Sequence, residues 1–311
     1  MRVVFLGTPE FAVPSLEALL RAGHEIALVV SRPDQPAGRH MQLTAPAVVH
    51  VARRHGLPLA QPEKLGPEEF VGRLRALRPD IAAVVAFGRL ISPRVLAIPP
   101  HGFVNVHPSL LPRHRGPSPI ESAILAGDPE TGVTTMLLDQ GMDTGPILLQ
   151  RRTAVGARER TPQLAERLAA MGAELLAETL AGMAAGSVRP VAQEAGPATV
   201  TEKLDRRHGK IDWALDAATL ARRCRALDPW PGLFCGFRGT RVKVHGLEDA
   251  GARPGDESPG TVIGVSSAGI AVRCGAGSVA VLTELQREGR RRLPADAFIL
   301  GERVAPGERF R

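Results

Sequence analysis

Apolar residues in the first half of the chain fall in short blocks separated by amphipathic stretches. Residues 2–6 predict a buried strand, and 11–22 a helix with Leu16, Leu19 and Leu20 on one face. Residues 25–31 predict a second strand. Pro46 stands where a helix can begin, and Val48, Val49 and Ala52 follow it. Residues 68–77 predict a helix, 80–86 a strand buried on both faces, 103–107 another strand, 120–126 a helix and 133–138 a strand. This alternation predicts a parallel sheet with helices on both faces. Thr161 and Pro162 open a long helix, because Thr caps well and Pro is tolerated in the first turn. Leu164, Leu168, Met171, Leu175 and Met183 recur along it at helical spacing, and Gly182 and Gly186 mark its end.

The pattern then changes. Residues 187–203 are rich in Pro, Gly and Ala without periodicity and read as a linker. Beyond them come a short helical piece, 217–226, and strand-like runs at 241–245, 260–265, 269–273 and 279–285. Gly, Pro, Asp and Ser punctuate these runs, which predicts a small β-barrel or sandwich. Two domains are expected, 1–186 and 204–311, joined by 187–203; a chain of 311 residues exceeds the usual single-domain size.

Composition narrows the classes. No apolar run approaches the ~20 residues needed to span a bilayer. The first residues, Met1 to Pro9, are too soon interrupted for a signal peptide, so a cytoplasmic location is expected. Cys224, Cys235 and Cys274 are scattered and far from any histidine cluster, which suggests neither a disulfide framework nor a metal site. The net charge of +7 permits a polyanionic partner without requiring one.

The candidate chemistry lies between Asn105 and Asp143. Asn105 and His107 are two apart on an expected strand and so share a face. They stand near the C-terminal end of that strand, where open α/β sheets place their ligands. Asp139 and Asp143 sit in a Gly-punctuated loop after another strand and can reach toward the same edge. A lone strand histidine is more often structural, and an Asp in such a loop is more often a turn residue. Together they offer what acyl transfer to an amine needs: a donor for a developing oxyanion, an acid–base imidazole and a carboxylate to set its state.

Asn105, His107, Pro108, Ser109, Leu110, Leu111 and Pro112, then Arg115-Gly116, Gly127-Asp128, Thr131-Gly132 and Asp143-Thr144-Gly145, resemble the signature of the folate-dependent formyltransferases. The resemblance implies Asn105, His107 and Asp143 as the catalytic trio and 10-formyltetrahydrofolate as co-substrate, with no metal. Phe5 to Ala12, Pro33 to Arg39, Ile211-Asp212-Trp213 and Ala226 to Gly232 are similar to the branch of that family whose acceptor is initiator methionyl-tRNA. In that branch the loop carrying Arg39 enters the acceptor stem. Lysines often follow it there, whereas His40, Met41 and Gln42 follow it here, leaving Arg39 most of that loop's charge.

The fold class expected is α/β: a Rossmann-like, mostly parallel sheet with helices on both faces, plus a smaller C-terminal β-barrel of OB-like type. Folate is expected against Ser109, Leu110, Leu111 and Pro112, against Ala86, Phe87, Gly88 and Leu90 after the buried strand, and against Asp139 and Gly141. The tRNA contacts expected are Arg39, Arg206, Lys210, Arg223, Arg241 and Lys243, and a monomer is expected. Asp143 is expected to raise the pKa of His107 while orienting it, or to hold a water. Three other readings compete. One is an amino-sugar formyltransferase with the same donor. A second is a dinucleotide oxidoreductase, opposed by the lack of G-x-G-x-x-G spacing around Gly7-Thr8-Pro9. A third is a non-catalytic RNA-binding protein.

Overall fold

The computed structural model describes residues 1–37, 42–194 and 196–311. The chain divides into two compact units, one of residues 1–119, 130–154 and 164–201, the other of 120–129, 155–163 and 202–311.

In chain order the elements of the first half are β1 (Arg2–Gly7), α1 (Val13–Arg21), β2 (Glu25–Val30), β3 (Gln35–Ala37), β4 (Gln42–Thr44), α2 (Ala47–Arg54), β5 (Leu59–Ala60), α3 (Glu68–Leu77), β6 (Ile81–Val85), α4 (Pro93–Leu96), β7 (Phe103–His107), α5 (Pro119–Ala126), β8 (Glu130–Leu137), β9 (Ile147–Ala154) and α6 (Thr161–Ala184). Seven strands form one sheet in the order β5-β2-β1-β6-β7-β8-β9. The strands from β5 to β7 run parallel, and β8 and β9 are antiparallel to their neighbours. All five residues of β6 are buried, as a strand covered on both faces requires. On one face Phe70, Val71 and Leu74 of α3 and Val95 of α4 pack with Val4, Leu6, Val84 and Phe103. On the other, Gly172 of α6 lies so close to Val106 that an added Cβ would fall 2.7 Å from its Cγ1. Asn105 and His107 therefore project from the face that Phe103 shares with α3, opposite α6.

The second unit holds α7 (Ala217–Ala226), β10 (Leu233–Phe237), β11 (Thr240–Ala252), β12 (Val262–Ser266), β13 (Gly269–Arg273), β14 (Ser278–Arg287), β15 (Leu293–Pro294) and α8 (Ala295–Glu302). Its antiparallel sheet runs β10-β11-β14-β13-β12, with β15 on β14. The C-terminal residues 307–311 join the two edges. Val262 donates to Glu308 O and Phe310 to Gly260 O on the β12 side, while Gly236 and Arg311 exchange hydrogen bonds on the β10 side. Both edges are thus paired and the sheet closes on itself. Phe310 is fully buried and stacks on Phe237 with ring centroids 4.6 Å apart. The three cysteines lie in this core, and burial pushes the Cys235 thiol up to about 12.

Candidate active site

His107 ends β7 with only 4% of its surface exposed. Its Nε2 lies 2.9 Å from His114 O. A carbonyl only accepts, so Nε2 carries the proton and Nδ1 is the nitrogen left for other work. Nδ1 stands 3.6 Å from Asp143 Oδ2. Burial depresses the His107 pKa; the Asp143 charge and the bond to His114 O push it up, but by less. Asp143 thus acts on the His107 pKa in the expected, raising direction, but desolvation in a nearly closed site outweighs that pull. The ring is neutral near pH 7, and its Nδ1 lone pair faces a carboxylate.

Asp143 reaches this position by an unexpected route. Because β8 is antiparallel to β7, Leu137 lies beside Val104 and Thr134 beside His107. The loop after β8 therefore leaves from the end of β7 away from His107. It must return roughly 10 Å along the strand, three residues' rise, to bring Asp143 to the imidazole. Asp143 makes that return in a left-handed conformation, φ 55°. Its Oδ2 accepts from the Gly116 N–H at 2.8 Å. Gly116 itself has φ 104°, a conformation suited to glycine. Asp139 caps the loop from within, accepting from Gly141 N–H at 2.9 Å and from Thr144 Oγ1 at 2.8 Å.

Asn105, one register step below His107 on the same face, is partly exposed. Among the described residues no hydrogen bond engages its side-chain amide. The trio singled out in the sequence is thus brought to one face, with two of its members in near contact and the third free to donate.

The other expected positions divide. Ser109 is buried and spends its hydroxyl on Arg113 O at 2.7 Å. Leu111 donates its N–H to Thr134 Oγ1, its carbonyl accepts from Gln150 Nε2, and the Leu111–Pro112 peptide is cis. Leu110 and Pro112 are half-buried. Ala86 and Gly88, both at positive φ, are exposed at the end of β6, next to β7 in the sheet. Between them Phe87 is 1% exposed and belongs to the core with Leu6 and Val84, so its side chain is not a ligand surface. Leu90 is 85% exposed and Met142 54%, large apolar side chains on the loops after β6 and β8.

Several contributors gave no sequence signal. Thr134, fully buried on β8, donates to Ser109 O and accepts from Leu111 N–H and Gln150 Nε2. Gln193 bonds both to Arg115 and to the Asp143 loop. It stands in the Pro- and Gly-rich segment without periodicity, where a single polar residue has nothing to distinguish it. That segment also bonds to the site turn, with Arg115 N–H on Thr199 O, Thr201 N–H on Arg115 O and His114 N–H on Thr199 Oγ1.

Of the expected RNA contacts, Arg39 lies outside the described residues. In the second unit Lys210, Phe234, Arg241, Arg309 and Arg311 line a groove of about 720 Å³. The Arg241 guanidinium lies 3.6 Å over the Phe234 ring, and Lys243 faces Phe234 across the β10–β11 pair. Arg206 is exposed in a short 3₁₀ turn. Arg223 differs: it is half-buried, donates to His208 O, and burial lowers its pKa.

A family model described as formyl transferase matches residues 1–180, and one described as formyl transferase, C-terminal domain, matches 203–303. A methionyl-tRNA formyltransferase of Citrifermentans bemidjiense is 43% identical over 307 residues, covering 99% of this chain and 95% of that protein. One of Chloroflexus aurantiacus is 45% identical over 301 residues, covering 97% of each. Among solved structures, HypX from Aquifex aeolicus in complex with tetrahydrofolic acid matches with a TM-score of 0.64 at 18% identity, over 96% of this chain and 47% of its own, a likeness of fold.

Proposed function

Since the chain belongs to the methionyl-tRNA formyltransferase family, we propose that it transfers a formyl group from 10-formyltetrahydrofolate to the amino group of the methionine carried by initiator tRNA, for translation initiation. The observation that carries the site assignment is the 3.6 Å approach of His107 Nδ1 to Asp143 Oδ2 on the face that bears Asn105. Full-length likeness to enzymes of that name favours this acceptor over a sugar amine.

The folate supplies an activated formyl carbon; the chain supplies charge stabilisation and proton management. Asn105 donates a side-chain N–H to the formyl oxygen as negative charge gathers there. His107 Nδ1 and Asp143 are both acceptors, so the gap between them suits a group with protons to give. The acceptor amine is such a group. His107 takes the proton that the amine sheds as its nitrogen bonds the formyl carbon, and Asp143 steadies the imidazolium. Nδ1 then returns the proton to the folate nitrogen that departs. Nε2 stays on His114 O throughout and fixes the tautomer.

The residues present fit a flat heterocycle with an apolar body. Ala86 and Gly88 offer exposed backbone donors and acceptors, and Leu90 and Met142 offer exposed apolar surface. Phe87 supports them from the core, while Ser109, Leu111 and Thr134 hold the turn after β7 in shape. Asp139 and Gly141 contribute by holding the loop that carries Asp143.

For the RNA, Arg206, Lys210, Arg241 and Lys243 supply exposed positive charge for phosphates, and the Arg241–Phe234 stack adds a flat surface. Arg223 acts indirectly, by bracing the 206–210 turn through His208 O. The test is incubation with 10-formyltetrahydrofolate and either methionyl initiator tRNA or a nucleotide-linked amino sugar. Formylmethionine released from the tRNA ester is the expected product. Formylation of the sugar amine alone overturns the reading.

A further inference from the structure

The geometry points to Gln193 as a positioning residue, one that sets Asp143 against His107 from outside the signature motif. Its side chain makes two opposite kinds of contact. Oε1 accepts from Arg115 Nε at 3.0 Å and from another Arg115 guanidinium nitrogen at 2.8 Å. Nε2 donates to Asp143 O at 2.8 Å and to Gly145 O at 2.7 Å. The orientation is fixed by chemistry, because a guanidinium only donates and a carbonyl only accepts. One primary amide thus saturates both of its ends between the turn after β7 and the loop after β8.

The loop needs such an anchor. Residues 139–142 and Thr144 are exposed, so little apolar burial holds the loop down. Among the described residues Asp139 ties the loop only to itself. A further tether at Asp143 is the Gly116 N–H on Oδ2, and Gly116 follows Arg115, the residue that Gln193 grips. Gln193 therefore fixes the backbone of Asp143 and, through Arg115, the N–H that aims its carboxylate. Arg115 is held in turn by backbone bonds to Thr199 and Thr201. The left-handed φ of Asp143 is a conformation that a non-glycine residue leaves when released.

Gln193→Glu separates this role from general stability. The new carboxylate keeps and strengthens its pairing with Arg115 but presents an acceptor to the two loop carbonyls. This inference rests on the proposed formyl transfer, so the wild type is measured first: absence of transfer there sinks that reading and leaves no activity for Gln193 to tune. With an active wild type, Gln193→Glu is expected to melt near the wild-type temperature. Its single-turnover rate should fall by about 100-fold, the cost of an ångström-scale misplacement, while KM for folate and tRNA stays within about threefold. In an Asp143→Ala background the same substitution should cost almost nothing further, since the group it positions is gone. If Gln193→Glu does not fold, Gln193→Met, of similar shape without donors, takes its place in both backgrounds. A wild-type rate, a loss confined to KM, or an undiminished loss in the Asp143→Ala background overturns the inference.

Discussion

His107 shows how burial and charge compete at a single residue. Its folded pKa lies below that of the free side chain because desolvation exceeds the pull of Asp143. The unfolded chain thus takes up a proton at about pH 6.5 that the folded chain still refuses. The stability this group contributes is full above that pH and is lost as pH falls toward the depressed folded value. Urea unfolding from pH 7.5 to pH 5 should show the wild type losing stability faster than His107→Asn, with the two profiles running parallel above about pH 6.5. Thr134 makes a second residue-scale case. Its buried hydroxyl serves Ser109 O, Leu111 N–H and Gln150 Nε2 at once. Thr134→Val keeps the shape and strands those partners, at a cost of about 1–3 kcal/mol in equilibrium unfolding. A change near zero would mean that water replaces the hydroxyl.

At the scale of elements, periodicity located most of what positions the site. The strand at 80–86, the helix at 68–77 and the strand at 103–107 correspond to β6, α3 and β7. The shared face of Asn105 and His107 followed from their spacing alone. The sense of β8 did not, because α5 between β7 and β8 imitates the crossover that joins parallel strands. β9 itself was not predicted, although apolar and polar residues alternate along part of it, and the nine residues that join it to β8 are too few for a parallel crossover. The return of the Asp143 loop and the bonds of Gln193 depend on contacts far apart in sequence, which no local pattern encodes. The closing segment 307–311 was equally hidden, being too short to show a period. It invites a test: Phe310→Ala should destabilise the C-terminal unit by about 3–5 kcal/mol, read from the urea transition of Trp213 fluorescence, as expected for an aromatic removed from a full core.

At the scale of the whole molecule, a net charge of +7 and the basic groove around Lys210 and Arg241 suit a partner rich in phosphate. Initiator tRNA binding should weaken steeply with salt, and Arg241→Ala should reduce the slope of log K against log salt by about 1. An unchanged slope would place Arg241 off the RNA path. No described helix is long and apolar enough to cross a membrane. In the proposed transfer His107 and Asp143 manage the amine proton, while the Asn105 amide is the donor whose bond to the formyl oxygen strengthens when the transition state forms. The most direct measurement is the single-turnover rate of formyl transfer to methionyl initiator tRNA by Asn105→Ala, with both substrates saturating. A fall of roughly 10²–10³-fold is expected with folate and tRNA still bound; transfer at the wild-type rate would contradict the role given to Asn105.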